Sequence, residues 1–176
     1  LVNVSKPARA ALRLLPAYLR RLLPQAPCFA RCANGGVNGC DEKREGKARM
    51  IHIVGAGSGA ADLITLRGAR LLHAADVVVW AGSLVNPELL AECKESCIVY
   101  DSAHMTLEEV LDVMCAADAR GEEVVRLHTG DPCLYGAIQE QMDALDARGV
   151  DYEVVPGVSS FCGAAAALRQ EYTLPG

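Results

Sequence analysis

A glycine-rich turn, GAGSG at residues 55–59, follows the apolar run at residues 50–54 and leads into a stretch with helical character. Gly55, Gly57 and Ala60 fill the three special positions of the dinucleotide-binding pattern. In that pattern the glycines let a pyrophosphate approach the backbone at a helix N-terminus. A nicotinamide or flavin enzyme is therefore the first hypothesis that the sequence raises.

A dinucleotide site also requires an acidic residue about 20 residues beyond the glycines, where it holds the ribose hydroxyls. The predicted second strand ends in VWAGS, residues 79–83, without an acid. The acid nearby, Asp76, stands at the beginning of that strand and hence at the opposite edge of the sheet. The oxidoreductase hypothesis is weakened, and binding of NADH remains its test.

A second loop that could bind a ligand or take part in chemistry is HTGDPCLYG, residues 128–136, after the predicted fourth strand. Its glycines allow close approach of a ligand to the backbone, and Pro132 fixes the turn. Asp131 offers a carboxylate that could face a cation or a pair of hydroxyls. An ordinary turn in which Asp131 caps the next helix is an equally good interpretation.

The third loop is VPGVSS, residues 155–160, which supplies the hydroxyls of Ser159 and Ser160 and exposed amides at a helix start. By itself it could equally be a helix cap. The three loops contain no Ser-His-Asp order, no nucleophile elbow and no cluster of metal ligands. Together they indicate a small polar ligand held mainly by main-chain groups.

The elements that must position these loops alternate regularly. Short runs rich in Val and Ile predict strands at residues 50–54, 76–80, 97–100, 123–127 and 152–155. Helical stretches are predicted between and after them, at residues 62–74, 87–93, 106–119, 137–148 and 159–169, with Asp62 and Thr106 as caps. Strand and helix in alternation predict an α/β fold, a parallel sheet between two helical layers. Ligands on such sheets bind at the carboxyl ends of the strands.

Composition and charge limit the class of protein. The chain has 176 residues, of which 51% are hydrophobic and 22% charged, so a folded domain with a real core is expected. Residues 50–176 carry seven Lys and Arg against nineteen Asp and Glu, which argues against a nucleic-acid partner. No stretch approaches the roughly 18 to 20 apolar residues that span a bilayer. Eight cysteines without paired zinc spacing favour reduced thiols and a cytoplasmic location over disulfides or a metal site.

The first 49 residues have the opposite character, with ten Lys and Arg against three Asp and Glu. The chain begins with Leu, and the first predicted strand begins at Met50. We expect residues 1–49 to be a disordered or non-native basic extension, with Met50 as the natural start. Residues 50–176 are expected to form one domain.

Several motifs resemble the tetrapyrrole methylase family in order and spacing. They are the glycine turn with residues 62–65, residues 75–78, GDPCLYG at residues 130–136, and VPGVSS. Within that family, WAGSLV at residues 80–85, AHM at residues 103–105 and HTGDP at residues 128–132 are most similar to the group that methylates C11 of precorrin-4 in cobalamin biosynthesis. The resemblance runs from Met50 to the end of the chain.

This resemblance implies the N-terminal half of an enzyme of two α/β domains, which binds S-adenosylmethionine between them and methylates a ring carbon of a corrin precursor. Residues implied to contact the cofactor are Ser58, Thr129, Gly130, Asp131, Leu134, Ser159 and Ser160. Ser58 stands where the family usually has Pro, and Ala60 and Ala61 replace a frequent Asp-Pro pair. These departures put a direct catalytic role of the glycine turn in doubt.

The resemblance further implies a homodimer when the protein is full length and a tetrapyrrole as substrate. A base that removes a proton from the macrocycle is expected to be His104, although a solvent-facing loop histidine is the plainer interpretation. Arg126, inside the fourth strand, could face the substrate's carboxylates or be structural. A truncated fragment that binds ligand without turnover is the alternative to the enzyme.

Overall fold

The computed structural model describes residues 50–173, so the predicted extension at residues 1–49 lies outside the described residues. The described part contains five strands: β1 Ile51–Gly55, β2 Val77–Trp80, β3 Ile98–Asp101, β4 Val124–His128 and β5 Tyr152–Val155. Its α-helices are α1 Leu66–Ala74, α2 Leu107–Ala119, α3 Gln139–Arg148 and α4 Ser160–Leu168. Short 3₁₀ helices occupy Ala61–Leu63, Pro87–Glu92 and Ser102–His104.

All five strands are parallel and lie in the order β3-β2-β4-β1-β5. In this order β1 lies between β4 and β5, with Gly55 opposite His128 and Val54 opposite Val155. The loops that follow β1, β4 and β5 therefore leave one edge of the sheet side by side. The predicted fold class, a parallel sheet in an α/β domain, is confirmed.

Helical segments cover both faces of the sheet. On one face, Leu72 of α1 and Leu89 of the 3₁₀ helix pack against the buried strand residues Val54, Val78 and Leu127. On the other face, helices α2 and α3 pack against Ile51, Val77, Val79 and Val124. Because apolar residues of β1, β2 and β4 are buried on both faces, these strands are rich in Val and Ile, as expected for a covered parallel sheet.

Helix boundaries follow local capping chemistry. Thr106 begins α2 with a capping box, since its hydroxyl accepts the Glu109 N–H and the Glu109 carboxylate accepts the Thr106 N–H. Gly149 ends α3 in the left-handed conformation at φ 68°. Thr106 is thus the cap that the sequence predicts.

The predicted cap at Asp62 is wrong. Asp62 lies in a 3₁₀ helix, Ile64 is extended, and α1 begins only at Leu66 with Thr65 as its N-cap. The Thr65 hydroxyl accepts the N–H of Gly68 at 3.1 Å. The predicted helix at residues 87–93 is also a 3₁₀ helix, Pro87–Glu92, capped by Asn86.

Candidate functional site

Three glycines meet where the central strands end. A Cβ atom on Gly55 would lie 2.6 Å from the carbonyl oxygen of Gly130 and 2.7 Å from the Cα of Gly157. A side chain at Gly157 would likewise collide with the Gly130 carbonyl. The loops after β1, β4 and β5 therefore touch backbone to backbone, which no residue larger than glycine permits at this crossing.

Main-chain hydrogen bonds join the first two of these loops. Gly57 donates to the Gly130 carbonyl at 3.3 Å and accepts from the Gly130 N–H at 2.9 Å, and Ala56 donates to the His128 carbonyl at 2.7 Å. Gly57 and Gly130 both have positive φ values, of 85° and 60°. The glycine turn is thus tied to the loop after β4.

Asp131 connects the loop after β4 to the loop after β5. Its Oδ1 accepts the N–H of Cys133 at 2.8 Å and its Oδ2 accepts the N–H of Gly157 at 3.0 Å. Each carboxylate oxygen therefore has a backbone partner. Asp131 fixes the relative position of two loops of the candidate site, and its contact with a cofactor stays a prediction.

Ser159 and Ser160 begin α4 beside this crossing. The Ser160 nitrogen and the Ser159 Cα lie 3.4 Å and 3.7 Å from the position that a Cβ on Gly130 would occupy. Ser159 is the N-cap residue of α4, but its side chain makes no capping hydrogen bond. Of the two interpretations left open for this loop, a helix cap is therefore the one that the geometry does not support.

The remaining predicted contacts surround the same place. Ser58 packs on α4, because a Cβ on Gly163 would lie 2.5 Å from the Ser58 hydroxyl oxygen. Thr129 is exposed beside Gly130, and Leu134 is 42% exposed. The structure thus brings the predicted cofactor residues of all three loops to one edge of the sheet.

His104 lies elsewhere along that edge. It ends the 3₁₀ helix after β3, it is exposed, and β2 lies between β3 and β4. The Asp101 carboxylate organises this loop by accepting the N–H groups of Gly82 and Ala103, at 3.0 and 2.9 Å. These two hydrogen bonds, chiefly the one from Ala103, hold the pKa of Asp101 below its ordinary value.

The acid before β2 has a structural role. Asp76 accepts the N–H of Glu123 at 2.8 Å and forms an ion pair with Lys94 at 2.6 Å. Both contacts lie at the amino ends of the strands, away from the three-loop crossing. No acid occupies the end of β2, so the ribose-binding carboxylate of a dinucleotide site has no counterpart there.

Arg126 and its neighbours form a buried polar cluster that the sequence analysis did not foresee. The Arg126 guanidinium donates to the Val79 carbonyl at 3.2 Å, to the Ser102 hydroxyl at 3.0 Å and to the Gln141 amide oxygen at 3.3 Å. Ser102 in turn donates to the Trp80 carbonyl at 2.8 Å. Arg126 therefore links the carboxyl end of β2 to the segment that follows β3, and these contacts support its structural interpretation.

Burial sets the protonation states of Arg126 and of His128, which lies two residues further along β4. Desolvation lowers the pKa of Arg126 to about 10, so the guanidinium stays charged near neutral pH. Desolvation, followed by the Arg126 charge, lowers the pKa of His128 to about 4, so this imidazole is neutral. A charged residue between apolar neighbours in a central strand was the one sequence signal that could have revealed the cluster.

Within residues 50–173, no group of three or more His, Cys, Asp or Glu side chains is placed to hold a metal ion. None of the helices in that range is long and apolar enough to cross a membrane.

Known proteins of similar sequence indicate the family to which this architecture belongs. Residues 50–176 match the model of the tetrapyrrole (corrin/porphyrin) methylases. The chain is 53% identical over 127 residues to a cobalt-precorrin-4 C(11)-methyltransferase of Methanocaldococcus jannaschii, covering 72% of this chain and 49% of that protein. It is 50% identical over 126 residues to a precorrin-4 C(11)-methyltransferase of Mycobacterium tuberculosis, covering 72% and 50%.

The fold is shared with solved structures, among them the following two. The X-ray structure of a cobalt precorrin-4 methyltransferase, a cobalamin biosynthetic enzyme, has a TM-score of 0.70 at 49% identity and covers 73% of this chain and 54% of its own. Uroporphyrin-III C-methyltransferase from Thermus thermophilus, complexed with S-adenyl homocysteine, has a TM-score of 0.56 at 34% identity, covering 66% and 48%. The chain spans about half the length of these relatives. With its parallel sheet, its three-loop crossing and this family match, the chain belongs to the tetrapyrrole methylase family.

Proposed function

We propose that the intact protein transfers a methyl group from S-adenosylmethionine to C11 of precorrin-4 or cobalt-precorrin-4 in cobalamin biosynthesis. The substrate assignment is supported by the names of the relatives that are 50% and 53% identical. The observation that carries the cofactor assignment is the crossing of three loops beside the start of α4. A related structure at 34% identity was solved with S-adenyl homocysteine.

S-adenosylmethionine fits the chemistry of this crossing. The cofactor has a carboxylate, an amino group, ribose hydroxyls and an adenine ring, which need hydrogen-bond donors and acceptors rather than a catalytic nucleophile. The hydroxyls of Ser159 and Ser160 offer both, and the absence of a side chain at Gly130 lets a ligand approach the backbone closely. Because Ser159 makes no capping hydrogen bond, its hydroxyl is available for this contact.

The bound cofactor supplies a methyl group that is already activated as a sulfonium. The contribution of this chain is then positional: the glycine crossing and the Asp131 carboxylate hold the three loops in one arrangement. Alignment of reactants in a pocket that excludes water accounts for a large part of many rate enhancements. A covalent catalyst is not needed for such a displacement.

His104 is the proposed base that removes a proton from the macrocycle. Its segment is fixed through neighbours, since Ser102 donates to the Trp80 carbonyl and Asp101 accepts the Ala103 N–H. Replacing His104 with Ala is expected to lower kcat while leaving the KM for S-adenosylmethionine unchanged. A KM change without a kcat change would remove His104 from this role.

We propose further that the intact protein is a cytoplasmic homodimer. Reduced thiols support the location, since Cys93, Cys97, Cys115, Cys133 and Cys162 are free. The exposed apolar side chains of Phe161 and Leu168 on α4 support burial of this helix against another part of the assembly. Light scattering of the purified intact protein tests the dimer, and fractionation of the source cells tests the location.

The direct test of the function uses the intact native protein with S-adenosylmethionine and either precorrin-4 or cobalt-precorrin-4. Mass spectrometry is expected to show one added methyl group on the tetrapyrrole, and NADH is expected not to bind. The 176-residue chain alone is expected to show weak or absent methyl transfer, because it spans only about half the length of its relatives. Binding without turnover by the intact protein would favour the non-catalytic alternative.

A further inference from the structure

The segment between β4 and α3 holds two residues in an unusual backbone conformation. Tyr135 has a φ of 58° and Ala137 a φ of 48°, and neither is glycine. Left-handed backbone carries a free-energy cost for residues with a Cβ atom, and such strain is common at functional sites. Here the strain falls five residues after Gly130, at the same edge of the sheet as the three-loop crossing.

Local contacts explain how the strained backbone is held. Leu134 donates its N–H to the Asp131 carbonyl at 3.1 Å, which closes a turn immediately before Tyr135. Gly136 packs so closely on Pro132 that a Cβ at position 136 would collide with the Pro132 carbonyl. The turn before Tyr135 and the close packing after it leave this residue little choice of conformation.

The side chain that this conformation presents is fully exposed. Tyr135 makes no hydrogen bond or ring contact within the described residues, whereas the Phe161 and Tyr172 rings lie 6.0 Å apart. An aromatic ring with both faces open can stack on a flat ligand. An ordinary surface turn would place Gly or Asn at this φ, because they adopt it at lower cost.

We propose that Tyr135 is a substrate-binding residue whose ring packs on the macrocycle of the tetrapyrrole. This inference rests on the proposed function and names the residue that recognises the substrate. The exposed ring favours the macrocycle over the cofactor, because a small cofactor needs an enclosed slot and a wide, flat ligand can lie across a projecting ring. The cofactor contacts are expected at Gly130 and Ser159 instead.

The test uses variants of the intact protein that distinguish three effects: loss of the aromatic ring, relief of backbone strain and loss of folding stability. Tyr135→Phe keeps the ring, Tyr135→Leu removes the ring and keeps the strain, and Tyr135→Gly removes both. Ala137→Gly is the matched control, since it relieves strain at the neighbouring position without removing a ring. The KM values for the tetrapyrrole and for S-adenosylmethionine are measured separately, with the thermal midpoint of the ligand-free protein.

Tyr135→Leu and Tyr135→Gly are expected to raise the tetrapyrrole KM about five- to tenfold, as loss of an aromatic stack predicts. The KM for S-adenosylmethionine is expected to stay unchanged, and Tyr135→Phe is expected to resemble the wild type. Tyr135→Gly and Ala137→Gly are both expected to raise the thermal midpoint by about 2–4 °C through relief of strain.

An unchanged tetrapyrrole KM in Tyr135→Leu would overturn the inference, with the proposed function intact. A lower thermal midpoint in Tyr135→Gly would also overturn it, because the ring would then be packing inside the protein. If the wild type transfers no methyl group, the proposed function fails by itself. Absorbance titration with uroporphyrin III then decides the inference: weaker binding by Tyr135→Leu supports it, and equal binding overturns it.

Discussion

The Asp131 carboxylate joins two loops that lie 26 residues apart in the chain, because its Oδ2 accepts the N–H of Gly157 at 3.0 Å. Its other oxygen accepts the N–H of Cys133. One side chain therefore sets the positions of the loops after β4 and β5, on either side of β1. This relationship makes Asp131 a structural support of the candidate cofactor site.

Replacing Asp131 with Ala is expected to lower the free energy of unfolding by about 1–3 kcal/mol, because two backbone N–H groups lose a charged acceptor. The affinity for S-adenosylmethionine is expected to fall as well. Urea unfolding and calorimetric titration measure the two effects. The control is Asp112→Ala, which breaks an exposed ion pair with Arg148 and should change stability by less than about 1 kcal/mol. Equal losses in the two variants would contradict the structural role of Asp131.

Replacing Gly55 with Ala is expected to destabilise the fold by about 1–3 kcal/mol or more, since the added methyl group overlaps the Gly130 carbonyl. Gly55 does not have a positive φ, so the expected loss of stability comes from steric overlap alone. Gly121→Ala is the control, because a Cβ there meets no atom within 4 Å and only its φ of 82° opposes the change. Chemical denaturation should show the larger loss for Gly55→Ala, and only that variant should weaken cofactor binding.

Stability is expected to depend on pH through His128. Its folded pKa is about 4, below the ordinary 6.5, so between these values the unfolded state binds more protons than the folded state. The contribution of His128 to stability is therefore full above pH 6.5 and is lost as the pH falls towards 4. When the pH falls from 6.5 to 4, the free energy of unfolding should decrease less in His128→Gln than in the wild type. The difference between the two decreases is expected to be up to about 3 kcal/mol. Parallel pH dependences in urea unfolding would contradict burial of a neutral imidazole.

Ser159 and Thr106 provide a matched pair of N-cap residues. Thr106 makes its capping hydrogen bond and Ser159 does not. Thr106→Ala is therefore expected to cost about 1 kcal/mol of stability without affecting S-adenosylmethionine binding. Ser159→Ala, alone or with Ser160→Ala, should change stability by less than about 0.5 kcal/mol and weaken cofactor binding several-fold. Unchanged cofactor affinity in the double variant would remove both serines from the site.

The strands were predictable because a parallel sheet buried on both faces favours short segments rich in Val and Ile. Every predicted strand exists, with its ends displaced by at most one residue. The start of α1 was mispredicted because Asp62 and Thr65 are both acceptable caps, and the choice depends on how the preceding turn leaves the sheet. Tertiary contacts decided that choice.

The candidate site was predictable only as three separate loops. The link between Asp131 and Gly157 depends on β1 lying between β4 and β5, and strand order cannot be obtained from local pattern. The same strand order separates His104 from the glycine crossing by β2. The Arg126 cluster was missed for a related reason, since Val79, Ser102 and Gln141 come together only in the folded chain.

Methyl transfer to C11 of a corrin precursor is the role proposed for this fold. The most direct measurement incubates the intact native protein with precorrin-4 or cobalt-precorrin-4 and S-adenosylmethionine carrying a ¹³C-labelled methyl group, and locates the label in the product by NMR. We expect one labelled methyl group on C11. A label at another ring carbon would contradict the substrate assignment, and no labelled tetrapyrrole with either substrate would contradict the proposed function.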